Sequence, residues 1–167
     1  MRSAIAMTFA PLLLPAVLLG MRPAVAPADM HAATWAGIER AIAAGDPVTL
    51  DWKAMAALNY RTGQMPESLR KLNGVQVRIP GFMVPLEDTE TRVTEFLLVP
   101  YFGACIHVPP PPPNQMVHAL MERNQKVDVN LWDPIWLVGK LRIENTESPY
   151  GAVSFQVTGE RILPYDG

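Results

Sequence analysis

Val75-Gln76-Val77-Arg78-Ile79-Pro80-Gly81-Phe82-Met83-Val84 decides how this chain folds. Val75, Val77 and Ile79 alternate with Gln76 and Arg78. A period of two is the mark of a half-buried strand. Pro80-Gly81 interrupts that period, and Phe82-Met83-Val84 resumes it. A Pro-Gly inside a strand implies a bulge or a sharp bend, as in a barrel turning a corner.

Four more strands follow on the same criteria. Val93 to Val99 is the second, and Pro100 ends it. Residues 115–121 form the third, 135–144 the fourth (with Gly139 inside it) and 152–163 the fifth. Glu122 to Asn130 and Asn145 to Gly151 read as a loop and a turn. Five antiparallel strands with a kinked first strand predict a mainly β fold, a small five-stranded OB-like barrel. A β-sandwich is the alternative.

Short helices precede the strands. Trp35, Ile38 and Ile42 share one face of a helix from Trp35 to Ala44, which Thr34 can cap and Gly45 can stop. Asp51 caps a second, Trp52 to Leu58, with Leu50 and Met55 placed as a hydrophobic staple. Pro66 opens a third near Glu67 to Leu72.

Arg2 followed by an apolar run broken by Pro11 and Pro15 reads as an export signal. Cleavage after Ala28 is expected, because the competing site would leave Pro27 at the new N-terminus. The organisation is then a signal over 1–28, a helical segment over 29–73 and a β-domain over 74–167. Removing Arg2 and Arg22 from the 14 basic residues leaves 12 against 16 acidic ones, a net charge of −4. An acidic chain without a basic face excludes nucleic acid as the expected partner. The one cysteine, Cys105, cannot close a disulfide within the chain and is not at the cleavage site, so no lipid anchor is expected there.

Candidate chemistry gathers in Gly103-Ala104-Cys105-Ile106-His107-Val108, followed by Pro109, Pro110, Pro111, Pro112, Pro113, Asn114 and Gln115. Five prolines make a polyproline II rod of roughly 15 Å, which would hold the Cys-x-His pair still. Thiolate and imidazole are the preferred ligands of zinc, and a tetrahedral site needs three or four. Cys105 and His107 supply two; His118 and Glu87 are candidates for the rest. Cys105 as a buried filler is the plain alternative. His107 beside Cys105 also suits a thiol enzyme or redox protein, with no second cysteine to resolve an oxidised form. The rod, with Asn114 and Gln115, could serve as a protein-binding module. Lying between two strands, it is expected instead to pack on the chain's own Tyr101, Phe102 or Trp132.

The segments Pro80 to Glu87, Phe96 to Pro100 and Gly103 to His107 with their prolines and Asn114-Gln115 resemble the bacterial family known as domain of unknown function 3299. The resemblance covers roughly Asp51 to Tyr165. It implies an exported, periplasmic, non-enzymatic accessory protein tied to zinc handling. Its implied partner is an ABC-transporter component or a periplasmic metal-binding protein. Some family members are lipoproteins; this sequence lacks their acylated cysteine.

Overall fold

The computed structural model describes residues 35–87, 91–104 and 109–166. Helix α1 (Trp35–Ala44) is followed by strand β1 (Val48–Thr49), then by α2 (Trp52–Ala56) and α3 (Glu67–Arg70). Strands β2 (Gln76–Pro85), β3 (Arg92–Val93), β4 (Glu95–Val99), β5 (Val117–Met121), β6 (Val127–Asp128), β7 (Ile135–Ser148) and β8 (Gly151–Pro164) complete the chain. The helices are short and N-terminal, as the sequence predicts. Thr34, the expected cap of α1, lies outside the described residues. Asp51 caps α2 as expected, its carboxylate accepting from the Ala54 N–H at 2.7 Å.

Five strands join in a closed ring of hydrogen bonds, in the order β2–β4–β5–β8–β7 and back to β2. The ring closes because β2 changes partner at its Pro-Gly. Gln76 to Gly81 pair with β7, and Phe82 to Pro85 pair with β4. Gly81 is required there by space. A Cβ at this position would lie 2.7 Å from the Val99 carbonyl oxygen and 2.8 Å from Leu98 Cγ. The indole of Trp52 reaches the same corner and donates to the Pro80 carbonyl at 2.7 Å.

The structure departs from the sequence reading in several places. The expected strand from Val93 to Val99 breaks at Thr94 into β3 and β4, which join different sheets, and Gln115 ends a 3₁₀ turn before β5 begins at Val117. The pairing of β5 with β8 is parallel, so the ring is mixed rather than all antiparallel. Val48 and Thr49 form a parallel pair with β2, and β3 and β6 form a separate two-stranded ribbon. Two-residue strands carry too few residues to show a period. Strand β7 runs on to Ser148 and turns through Pro149 and Tyr150 alone. Its last residues are polar on both faces, so nothing in their pattern separates strand from turn.

The alternating residues Val77, Ile79, Met83, Phe96, Leu98, Val117, Phe155 and Val157 form the core inside the ring. Met55, Leu58, Leu69 and Leu72 from the helical segment join that same core. Strand β4 is buried on both faces, because Leu97 and Val99 point outward into a second cluster with Val84, Ala104 and Met116. An unbroken apolar run, Phe96-Leu97-Leu98-Val99, is what a strand covered on both sides requires.

Candidate functional site

The residues that follow β4 and those that lead into β5 both pack on the outer face of the ring. A tight turn at Tyr101-Phe102-Gly103, with Gly103 at φ +78°, sets Ala104 down in the second cluster. Cys105, Ile106, His107 and Val108 lie outside the described residues. Ala104 before them and Met116 beyond the prolines are both buried against Leu97 and Val84. Both flanks of the motif are therefore docked on the outer face.

His118 occupies that same face. It pairs in register with Leu97, and cross-strand partners share a face. Its side chain is 14 % exposed, and its Nε2 makes no hydrogen bond. Nε2 stands 3.4 Å from Oε2 of Glu95, at the start of β4. Two ligands at about 2.0–2.2 Å from a tetrahedral ion stand about 3.4 Å apart, so the pair has the spacing of two zinc ligands. Glu95 was not legible as a site residue. As an exposed charge before an apolar run it has the sequence appearance of an ordinary surface carboxylate.

Glu87 is exposed just beyond β2 and shares with Glu95 a cleft of about 180 Å³ lined also by Leu86, Val93 and Thr94. Glu95 thus lies within reach of His118 and lines one cleft with Glu87. Among the described residues, no group of three or more His, Cys, Asp or Glu is disposed to hold a metal. A complete ligand set on this face would need Cys105 or His107.

Asn114 and Gln115 hold α2. The Asn114 amide nitrogen donates to the carbonyls of Leu58 at 2.8 Å and Ala56 at 3.2 Å. The Gln115 amide donates to the carbonyls of Trp52 and Asn114, each at 2.9 Å. The last carbonyls of a helix lack intrahelical partners, and the Asn114 amide supplies one for Ala56 at the end of α2 and for Leu58 just beyond it, while Gln115 reaches the first residue of the helix. Asn114→Ala should strand those carbonyls and lower stability by about 1–3 kcal/mol. Urea denaturation measures this; an unchanged midpoint would remove the amide from any structural role.

A family model described as a protein of unknown function, DUF3299, matches residues 39–164. This chain belongs to the DUF3299 family. A crystal structure of a DUF3299 family protein from Pseudomonas aeruginosa PAO1 is similar at 30 % sequence identity, with a TM-score of 0.57. The match covers 72 % of this chain and 97 % of that one. No curated protein matches.

The proline rod of this DUF3299 chain is only partly packed on its own fold. Pro111 is buried, while Pro109, Pro110 and Pro112 are exposed. Pro112 has φ −62° and ψ 156°, close to polyproline II, and Pro113 opens a 3₁₀ turn. The aromatics expected to cover the rod are themselves open to solvent. Tyr101 and Phe102 are each 46 % exposed and Trp132 is 74 % exposed. Phe102 stacks on Trp132 at 5.4 Å and meets the edge of Phe82 at 6.1 Å.

Proposed function

We propose that this chain is an exported, non-enzymatic accessory protein of the cell envelope that binds zinc. Cys105 and His107 are the first two ligands in this reading, and His118 with Glu95 the others, Glu87 sharing a cleft with Glu95 as the alternative carboxylate. The observation that carries it is the buried Nε2 of His118, without a hydrogen bond and 3.4 Å from a carboxylate oxygen. A buried imidazole nitrogen in a folded protein ordinarily has a partner. The chemistry of the set also fits zinc, which takes thiolate, imidazole and carboxylate together.

A ligand set drawn from a loop and two ring strands suits exchange better than structural closure. The ring has its own apolar core, so the fold does not depend on the ion. Zinc bound this way is available to a periplasmic metal-binding protein or to a component of an ABC transporter, the partners that this reading assigns. Native mass spectrometry of the purified protein with and without a chelator tests the reading directly. One zinc per chain, lost in Cys105→Ser, is the expected result; no zinc in the wild type after reconstitution would end it.

Export rests on Arg2, the apolar run behind it and Ala26-Pro27-Ala28. Among the described residues, no helix is long and apolar enough to cross a membrane. Protein recovered from the periplasm of the native host should begin at Asp29. Intact mass decides this, and a chain that keeps residues 1–28 there would replace a cleaved signal with an anchor.

A further inference from the structure

We propose that a cleft on the outer face of β2, β7 and β8 binds a small organic carboxylate, clamped by Arg78 and Arg161 over an apolar floor. Val77 and Ile79 belong to the core, so Arg78 between them points outward. On β7, Trp136 and Val138 alternate with the core residues Ile135 and Leu137 in the same way. Arg78 pairs with Val138, and Val138 pairs with Arg161. The three residues thus form a row across neighbouring strands, and cross-strand partners share a face. Val138 faces outward yet is only 1 % exposed, so it is the floor of a cleft rather than open surface. The cleft holds about 350 Å³ and is lined by Arg78, Arg161, Val138, Leu163, Pro47 and Asp46. That volume suits a small ligand.

Arg78 is positioned before any ligand arrives. Its Nε–H donates to the Thr49 hydroxyl at 2.7 Å, and its guanidinium lies over the Trp136 ring, 4.8 Å from the centroid. The indole is itself fixed, donating from Nε1 to Asp166 at 2.9 Å. A guanidinium held by its Nε and its face keeps both Nη groups, and these make no hydrogen bond among the described residues. Paired guanidinium donors match the two oxygens of a carboxylate. Arg161 comes from the other side of Val138. The carboxylate beside it, Glu160, stands 3.7 Å from Nη1, beyond hydrogen-bond range, and already accepts from the Gln76 amide at 2.6 Å. Asp46 and Glu160 offset part of the positive charge, so a singly charged carboxylate suits the cleft better than a phosphate dianion. Pro47, Val138 and Leu163 are the surface for the ligand's hydrocarbon part. None of these residues belongs to the zinc reading.

Nitrogen–proton NMR of the purified protein tests this, with sodium hexanoate as the probe, hexanol as its uncharged analogue and inorganic phosphate as the bare anion. The Trp136 indole N–H and the Arg78 Nε–H report on the cleft. Hexanoate should shift both saturably, with a dissociation constant in the millimolar range or below, as about eight heavy atoms allow. Hexanol and phosphate should each bind about tenfold more weakly, since each keeps only one half of the recognition. Arg78→Gln and Arg161→Gln should each weaken hexanoate about tenfold or more. Arg78→Lys keeps the charge without the fork and should fall between wild type and Arg78→Gln. Both arginines are exposed, so the variants should fold, which circular dichroism checks. Absence of saturable hexanoate binding up to about 20 mM overturns the proposal. So does hexanoate binding that both glutamine variants leave unchanged. Phosphate binding as tight as that of hexanoate makes the cleft a bare-anion site and likewise overturns it.

Discussion

Gly139→Val should leave the protein unable to complete its ring. Gly139 lies where β7 meets β8 at an irregularity in the register. Val138 pairs with Arg161 and Gly139 with Gly159, so Glu160 is the extra residue of a bulge. A Cβ on Gly139 would run into the Thr158 carbonyl oxygen. It would also lie 2.8 Å from Val157 Cγ1 and 2.9 Å from Gly159 Cα. Two of these three obstacles are backbone, which cannot move without opening the β7–β8 pairing. Gly139 also pairs with Val77 on β2, so the same residue stands between two neighbours of the ring. The loss should exceed about 4 kcal/mol, a large part of the 5–15 kcal/mol that holds a domain together. Thermal unfolding followed by circular dichroism measures it. A cooperative transition within about 5 °C of the wild type would mean that the two strands separate at little cost.

The neighbouring glycines calibrate that result. Gly81→Val meets Val99 oxygen and Leu98 at the bend and should also be strongly destabilising. Its backbone has no positive φ, so the cause is bulk alone. At Gly159 the nearest atom to an added Cβ is the Met121 sulfur at 2.6 Å, the movable part of a flexible side chain. Gly159→Ala should therefore cost much less than either.

Zinc affinity should fall by more than about a hundredfold in Cys105→Ser and in His107→Ala, while both proteins stay folded. Loss of an outer-shell partner alone typically costs 10–100-fold, and loss of a direct ligand costs more. His118→Ala and Glu95→Gln should each weaken binding further than Glu87→Gln, because only Glu95 stands at ligand spacing from His118. Zinc must displace the thiol proton and compete with protons for imidazole. Affinity should therefore rise with pH and fall as pH drops. Titration of the apo protein against a competing indicator provides the constants. Equal, weak binding in the wild type and Cys105→Ser would rule out the thiolate as a ligand. In that event, rapid alkylation of Cys105 by iodoacetamide at neutral pH would favour the thiol-enzyme reading, and slow alkylation a buried filler.

The local features were legible because they are written in neighbouring residues. A period of two marked β2 and β8, apolar stretches ended by proline or turn residues marked the other ring strands, Asp51 announced α2, and Pro80-Gly81 announced the corner at which β2 changes partner. Each of these is decided by sterics and hydrogen bonds within a few residues of the chain. The resemblance carried by the stretch from Pro80 to Gln115 placed the family.

Tertiary structure alone decided which strand edges meet. Periodicity says that a strand has a buried face and says nothing about its partner, so the parallel pairing of β5 with β8 and of β1 with β2 could not be read. The same holds for the site. Asn114 and Gln115 belong to a chemically suggestive motif, yet their amides reach back 56 and 63 residues to hold α2. Glu95 looks like any solvated carboxylate until β4 and β5 pair and set it 3.4 Å from His118. Hydrogen bonding and burial between distant segments depend on loop closure and on side chains contributed by every layer. A single residue's type carries its chemistry; only the packed ring determines what that chemistry faces.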